Sequence, residues 1–143
     1  MPEVRALVQR VTAASVSVGD ELVSSIGPGL LVLLGIRRGD GPGEADRIAG
    51  KLLALRIFDD EEGRMNRSVR DAGGELLCVS QFTLYGDARR GNRPSFVEAA
   101  PPKEAEPLYE RVREALGARG GRFGQRMRVE LVNDGPVTLI VEV

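Results

Sequence analysis

The chain has no histidine, no tryptophan and a single cysteine among its 143 residues. Without histidine, it cannot by itself form a Ser-His-Asp or Cys-His catalytic site, or a histidine-based zinc site. One cysteine cannot form an internal disulfide or a cysteine-rich metal site, which favours an intracellular protein. Any acid–base chemistry must therefore come from Asp, Glu, Lys, backbone groups, water or the substrate, and no metal or other cofactor is expected.

Long hydrophobic runs are also missing. No apolar run approaches the ~20 residues that a membrane-spanning helix needs, and the N-terminus lacks the charged-then-apolar pattern of a signal peptide. We therefore expect a cytoplasmic protein with no membrane partner. A length of 143 residues suits one domain, residues 1–143, that can bury a real core.

Charge of one sign does not dominate, since the net charge is −1. This balance argues against a protein that coats nucleic acid non-specifically. The arginines nevertheless form two groups: Arg89, Arg90 and Arg93, and then Arg119, Arg122, Arg126 and Arg128. A solvated surface beside acidic residues is the better interpretation for any one of them. As groups, they suggest a local phosphate-binding face.

The hydrophobic pattern predicts strands, a helix, strands, a second helix and strands. The predicted strands cover residues 4–18, 21–26, 30–36, 64–69, 75–84, 127–132 and 137–143. Helical spacing of apolar residues predicts helices over residues 44–58 and 101–116, the second starting at a Pro-Pro pair and ending at glycine. We expect an α+β domain, with a mostly antiparallel sheet or partial β-barrel and two packed helices.

The most informative segment follows an apolar strand. Ser80, Gln81, Phe82 and Thr83, called here the SQFT segment, stand where that strand ends, and functional residues concentrate at such places. Strand alternation predicts Cys78 and Phe82 toward the core, Gln81 and Thr83 toward a cleft, and Ser80 at its rim. From residue types alone, hydrogen-bonding residues without chemistry are the favoured interpretation.

Two residues near this segment could act as nucleophiles. Cys78 lies within an apolar run, where a thiol is an inert core residue, so we reject it. Thr83 is the best side-chain candidate, but no obvious base would activate it. Whether Thr83 attacks or only positions a substrate stays open.

A second unusual segment, residues 133–138 (NDGPVT), stands between the last two predicted strands. With the SQFT segment it resembles the D-aminoacyl-tRNA deacylase family of bacteria and eukaryotes, whose signatures are an SQFT-type and an N-x-G-P-V-T motif. The similarity extends to QRV at residues 9–11, GLLVLLG at residues 29–35 and RPSF at residues 93–96. Residues 120–124 resemble the family's TG-x-F segment, but Gly120 stands where threonine is usual.

The resemblance implies an esterase that acts on the 3′ end of D-aminoacyl-tRNA. The Ser80–Thr83 segment would be catalytic, with backbone N–H groups at Gln81 and Phe82 stabilising the oxyanion. The vicinal ribose hydroxyl would help to activate water. Gly135 and Pro136, joined by a cis bond that sequence alone cannot establish, would form a chirality gate. This gate would reject L-aminoacyl-tRNA and admit glycyl-tRNA.

The resemblance also implies a homodimer with cross-subunit active sites, in which each gate enters the partner's site. Supporting roles fall to Arg10, Asn133, Val137 and Thr138. Two alternatives remain: a non-catalytic module that binds RNA ends, and a generic small-molecule hydrolase. The intact SQFT segment and Gly135-Pro136 pair argue against the first, and the absence of histidine argues against the second.

Overall fold

The computed structural model describes residues 3–143. Its helices and strands, in chain order, are β1 (Arg5–Val18), β2 (Glu21–Ile26), β3 (Gly29–Gly35), α1 (Pro42–Ala54), β4 (Phe58–Asp59), β5 (Met65–Arg67), β6 (Glu75–Ser80), α2 (Pro102–Leu116), β7 (Arg119–Gly120) and β8 (Arg128–Glu142). A short 3-10 helix, Phe82–Tyr85, follows β6.

The main sheet curls into a nearly closed barrel. Its strand order is β2-β1-β3-β6-β7, and β8 pairs with β1 along the other side of that strand. The β3–β6 and β6–β7 pairs are parallel, and the pairs made by β1 are antiparallel. The two ends of this path, β7 and β2, lie side by side. Ser24 Oγ of β2 donates to the carbonyl of Gly120 in β7 (2.5 Å), and the Arg119 side chain of β7 donates to the carbonyl of Ser25 in β2 (2.7 Å). The predicted α+β fold with a partial barrel is confirmed.

Each helix buries one apolar stripe and leaves a charged face in solvent. α1 buries Ala45, Ile48, Ala49 and Leu52, and α2 buries Ala105, Tyr109, Val112 and Leu116. The two helices also meet through a bidentate ion pair between Arg111 and Asp46 (2.8 and 2.9 Å). Within residues 3–143, neither helix is both long and apolar enough to span a membrane.

Some boundaries differ from the prediction for local reasons. α1 starts earlier than expected, at Pro42, because the Glu44 carboxylate accepts the Gly41 N–H (2.7 Å) and caps the first turn. It ends at Ala54, where Leu55 becomes extended. α2 ends as predicted, with Gly117 in the left-handed region at φ 65°. Ala115, whose position at helical spacing predicts that it belongs to the apolar stripe of α2, is exposed instead.

The predicted strand over residues 75–84 is too long. β6 ends at Ser80 because its parallel partner β3 ends at Gly35, so there is no strand left to pair with. The 3-10 helix then turns back over Gly35, where an added Cβ would lie 3.1 Å from the Tyr85 ring. Strand alternation therefore fails beyond Ser80. Phe82 is 55% exposed and does not face the core.

The two predicted C-terminal strands are one strand. β8 keeps its direction and pairs with β1 before and after residues 133–138, so the Gly-Pro pair does not reverse the chain. The register passes from Gln9↔Thr138 to Val11↔Asn133, so β8 advances five residues where β1 advances two. The extra residues form a bulge. A continuous partner strand overrides the local turn preference of Gly and Pro.

Candidate active site

The end of β6 forms one wall of a pocket with a volume of about 790 Å³. Ser80, Gln81 and Phe82 line this pocket, whereas Thr83 does not. The other walls come from the ends of β3 and β8, the start of α2, and the loops before α2 and after β7. These contribute Ile36, Arg38, Phe96, Ala99, Ala100, Pro101, Pro102, Ala105, Phe123, Gly124, Gln125, Arg126, Met127 and Val129, beside Val79 of β6.

The pocket is apolar and aromatic at one end. The Phe82 and Phe96 rings pack edge to face, with centroids 5.1 Å apart and planes inclined by 68°. Phe123 lines another wall and packs against the ring of Tyr109 on α2 (6.1 Å). An aromatic pocket of this size can accommodate a nucleoside or an amino-acid side chain.

Backbone donors near the pocket are fewer than the sequence suggested. The Gln81 N–H donates to the carbonyl of Leu34 (2.8 Å), so it is not available for an oxyanion. Gln81 as a backbone donor stays a prediction, and that role would require this hydrogen bond to break. Among residues 3–143, the N–H groups of Phe82 and Thr83 have no hydrogen-bond partner, because they begin the 3-10 helix. Of these two residues, Phe82 lines the pocket and Thr83 does not.

Among residues 3–143, no side chain that could act as a general base lines the pocket. Its lining contains neither Asp, Glu nor Lys. Thr83 is exposed, and its hydroxyl oxygen accepts a hydrogen bond from the Gln81 side-chain amide. An amide N–H cannot remove a proton from this hydroxyl, so the structure offers Thr83 no activation as a nucleophile.

Cys78 is remote from solvent. It is fully buried, and burial raises the pKa of its thiol to about 12. Its carbonyl accepts the Tyr109 O–H (2.6 Å), which joins β6 to α2. This environment keeps the thiol protonated, in agreement with its rejection as a nucleophile.

The NDGPVT segment is held by side chains on both sides. Asn133 Oδ1 accepts the Val137 N–H (2.8 Å), and Asn133 Nδ2 donates to the Val137 carbonyl (3.2 Å). Asn133 Nδ2 also donates to the Thr138 hydroxyl (3.1 Å), which further accepts Gln9 Nε2 (3.3 Å). These bonds close the bulge in place of the missing strand pairing, while Val137 packs into the core.

Arg10 supports the same segment from β1. It is 9% exposed, and its Nε donates to the carbonyl of Asp134 (3.0 Å) while Nη1 donates to the carbonyl of Ile57 (2.8 Å). Two carboxylates lie close to its guanidinium, Asp59 at 3.5 Å and Asp134 at 3.7 Å. The sequence assigned Arg10 a supporting role, and this contact shows how it could perform one.

Gly135 and Pro136 project from the barrel. Both are exposed, and the peptide bond between them is cis. Gly135 has φ 140°, and an added Cβ would lie 2.7 Å from Val137 Cγ2 and 2.9 Å from its nitrogen. Only glycine fits there without strain. No residue of the NDGPVT segment lines the pocket, so one chain does not bring the two segments together.

The two arginine groups divide into paired and unpaired members. Arg89, Arg119 and Arg122 form ion pairs with Asp87, Glu75 and Glu21, as the solvated-surface interpretation predicts. Arg90, Arg93, Arg126 and Arg128 form no ion pair within residues 3–143, and of these only Arg126 lines the pocket. Sequence reasoning missed Arg38, although it follows a buried strand just as the SQFT segment does.

One group of carboxylates could approach a cation. Oxygens of Glu3, Asp40 and Glu44 lie within 4.8 Å of one another. These carboxylates already accept protein donors, since Asp40 accepts the Arg37 N–H (2.6 Å) and Glu44 accepts from Arg47 (3.1 Å). None of the three lines the pocket. Asp40 and Glu44 instead accept backbone N–H groups of the loop between β3 and α1.

Together, the fold and the pocket define an α+β domain with a base-free apolar site at the end of a barrel strand. Known proteins match this chain along nearly its whole length. A family described as D-Tyr-tRNA(Tyr) deacylase matches residues 7–142. The D-aminoacyl-tRNA deacylase of Symbiobacterium thermophilum is 58% identical over 143 residues, which cover 96% of this chain and 95% of that protein. The one from Roseiflexus is 59% identical, covering 96% and 92%.

Two solved structures share the fold. The c-Myc DNA Unwinding Element Binding Protein superposes with a TM-score of 0.92 at 45% identity, covering 97% of this chain and 98% of that one. A probable eukaryotic D-amino acid tRNA deacylase shares the fold with a TM-score of 0.82 at 20% identity, covering 98% and 99%. The chain therefore belongs to the D-aminoacyl-tRNA deacylase family, and the resemblance stated from its sequence is confirmed.

Proposed function

We propose that this protein hydrolyses the ester bond of D-aminoacyl-tRNA, releasing the D-amino acid and reusable tRNA. In the cytoplasm, this reaction would remove D-amino acids before translation uses them. The observation that carries the proposal is the full-length relationship to D-aminoacyl-tRNA deacylases, with the SQFT segment forming the wall of a pocket. The aminoacyl ester is already reactive, so positioning and charge stabilisation are enough.

The chemistry uses the substrate where the protein offers no base. Water attacks the ester carbonyl carbon, and the carbonyl oxygen becomes an oxyanion. The Phe82 N–H, which has no partner among residues 3–143, donates to that oxygen. The vicinal ribose hydroxyl orients the water and relays its proton. The bond between the carbonyl carbon and the ribose oxygen then breaks, and the ribose oxygen takes the relayed proton. The carboxylic acid that forms loses the other proton of the water to solvent, and the amino acid leaves as a carboxylate.

Gly135 and Pro136 act as the chirality gate of a neighbouring chain. They are exposed, they stand outside the strand register, and Asn133 and Arg10 hold the segment that carries them. Rigid backbone carbonyls would accept hydrogen bonds from the substrate's α-amino group. The adjacent backbone leaves no room for a side chain in the L configuration. Glycyl-tRNA has no such side chain, so it is also a substrate.

A two-fold dimer would place each gate in its partner's pocket. β8 pairs with β1 alone, so its other edge has no partner among residues 3–143. Three large apolar side chains of β8 are exposed: Val132 (59%), Leu139 (38%) and Ile140 (65%). An unpaired edge with exposed apolar residues suits a self-complementary interface.

Matched D- and L-aminoacyl-tRNA of one amino acid test the proposal. The purified protein should release the D-amino acid and spare the L form. Equal rates on both would remove the chiral gate from the proposal. If neither ester is hydrolysed while the tRNA still binds, the non-catalytic RNA-end module replaces the enzyme. The name of one structural relative suggests DNA as a further ligand to include, although a net charge of −1 does not favour it.

A further inference from the structure

We propose that Arg38 and Arg126 bind backbone phosphates of the tRNA 3′ end at the mouth of the catalytic pocket. The inference deepens the proposed function and rests on it. These two arginines are the only charged residues that line the pocket among residues 3–143. The lining has no acidic residue to neutralise them, although acidic residues outnumber basic ones in the chain, 21 to 20.

Their side chains are free to bind an anion. Arg38 is exposed and uses Nε alone, which donates to the carbonyl of Val97 (2.8 Å). This bond orients the guanidinium and leaves its two terminal nitrogens available for a bidentate contact. Arg126 is also exposed, and it makes no hydrogen bond or ion pair within residues 3–143.

Most other arginines are already neutralised. Ion pairs to carboxylates involve Arg5, Arg10, Arg37, Arg47, Arg64, Arg67, Arg89, Arg111, Arg113, Arg119 and Arg122. Both pocket arginines belong to the minority without such a partner. An unpaired arginine gains more from a phosphate than one that must first give up a carboxylate.

The position of the two arginines matches the layout of a nucleotide. Arg38 comes from the loop between β3 and α1, whereas Arg126 comes from the loop between β7 and β8. Between them lies the apolar pocket with Phe82, Phe96 and Phe123. The aromatic rings suit the terminal base and ribose, and the two guanidiniums suit the phosphates that precede them. The ligand is therefore a single-stranded RNA end, held by stacking and by charge.

Two substrates separate phosphate binding from chemistry. One is D-aminoacyl-tRNA, and the other is the same D-amino acid esterified to adenosine, which has no phosphate. Arg38→Gln and Arg126→Gln should each lower kcat/KM on tRNA about tenfold relative to the adenosine ester, mainly through KM. The salt dependence supplies a second readout. The slope of log(1/KM) against log salt should fall by about 0.7 for each arginine removed.

Arg70→Gln is the matched control, since Arg70 is exposed, forms no ion pair within residues 3–143 and does not line the pocket. It makes the same change of net charge and should leave both the substrate ratio and the salt slope as in the wild type. Equal losses on tRNA and on the adenosine ester would overturn the inference, because the arginines would then act on the ester or on the pocket. An unchanged salt slope would overturn it as well.

Failure of the proposed function would look different. If the wild type hydrolyses neither ester, its affinity for uncharged tRNA still tests the two arginines. Weaker and less salt-dependent binding by Arg38→Gln and Arg126→Gln would support the phosphate contacts without any catalysis. Equal affinities of wild type and both variants would refute them.

Discussion

Thr83 belongs to the SQFT segment but does not have the surroundings of a nucleophile. Its hydroxyl accepts a hydrogen bond from the Gln81 amide and lies outside the pocket lining. The chain has no histidine, and the pocket has no carboxylate or lysine. At this scale the structure favours backbone and substrate groups over side-chain chemistry.

Thr83→Ala should therefore keep most of its activity. We expect kcat/KM on D-aminoacyl-tRNA within about threefold of the wild type. Replacing the vicinal ribose hydroxyl of the substrate with hydrogen should cost at least about 100-fold, as loss of an acid–base group does. Single-turnover hydrolysis with both substrates measures each effect. An inactive but folded Thr83→Ala protein that leaves the deoxy substrate reactive would make Thr83 the nucleophile instead.

Asp40 gives the protein a specific pH dependence of stability. Burial raises the pKa of this carboxyl from 3.8 to about 6, with further contributions from Glu3 and Glu44. The folded chain then holds a proton that the unfolded chain has lost. The free energy of unfolding contributed by Asp40 therefore falls as pH rises from about 4 to about 6.

Asp40→Asn should remove that pH-dependent loss while keeping an oxygen acceptor for the Arg37 N–H. The free energy of unfolding of the variant minus that of the wild type should be larger at about pH 7.5 than at about pH 4.5. Urea unfolding at both pH values measures this difference. Asp46→Asn is the contrasting variant, because the Arg111 side chain holds the pKa of Asp46 below its usual value. That variant should lose a similar, small amount of stability at both pH values, because Asp46 is ionised at both. The same pH trend in both variants would contradict the assignment to Asp40.

At the level of elements, the sequence predicted the helices and strands whose apolar residues recur at regular spacing. The buried stripes of α1 and α2 and the long strand β1 follow from hydrophobic spacing alone. The errors concern β6 and β8, whose limits depend on their partner strands. β6 stops where β3 stops, and β8 continues across a Gly-Pro pair because β1 continues beside it. The residue pattern within β6 or β8 does not reveal which strand pairs with it, so it does not predict where either strand ends.

The same distinction applies to the site. Ser80, Gln81 and Phe82 could be placed beside a pocket from sequence, because they end an apolar strand. The hydrogen bond of the Gln81 N–H could not be predicted, because its acceptor, the carbonyl of Leu34, is 47 positions earlier in the chain. Arg38 was missed because two adjacent arginines in a loop resemble an ordinary solvated surface.

The bulge of β8 makes a sharp prediction for Gly135. Gly135→Ala places a Cβ against Val137 and forces alanine to a φ of 140°. We expect a loss of about 1–3 kcal/mol in the free energy of unfolding, together with weaker discrimination between D- and L-aminoacyl-tRNA. Urea unfolding and paired deacylation assays measure the two effects.

Gly63→Ala provides the control for backbone strain. Gly63 also has a positive φ, 78°, but an added Cβ there meets nothing within 4 Å, and Gly63 does not line the pocket. This variant should lose stability and keep its discrimination. If folded Gly135→Ala discriminates as well as the wild type, the gate does not depend on this residue.

At the scale of the whole molecule, the separation of the two segments within one chain is the central fact. The pocket belongs to the end of β6, whereas Gly135 and Pro136 project from β8 and do not line it. If both act on one substrate, the gate must come from a second copy. A two-fold dimer satisfies this condition twice, because each chain gives one pocket and receives one gate.

Mixed dimers test that arrangement directly. One chain carries Gly135→Val, which blocks the gate. The other carries Phe82→Pro, which removes the free N–H at a position where proline suits the first turn of the 3-10 helix.

Each homodimer should be inactive on D-aminoacyl-tRNA. In the heterodimer, a cross-subunit arrangement gives one site with both defects and one site with neither, so about half of the wild-type activity should return if sites act independently. A chain that completes its own site would leave both sites defective, and activity would not return. Co-expression with two different affinity tags isolates the heterodimer, and the single-variant homodimers mixed after purification show whether chains exchange during the assay.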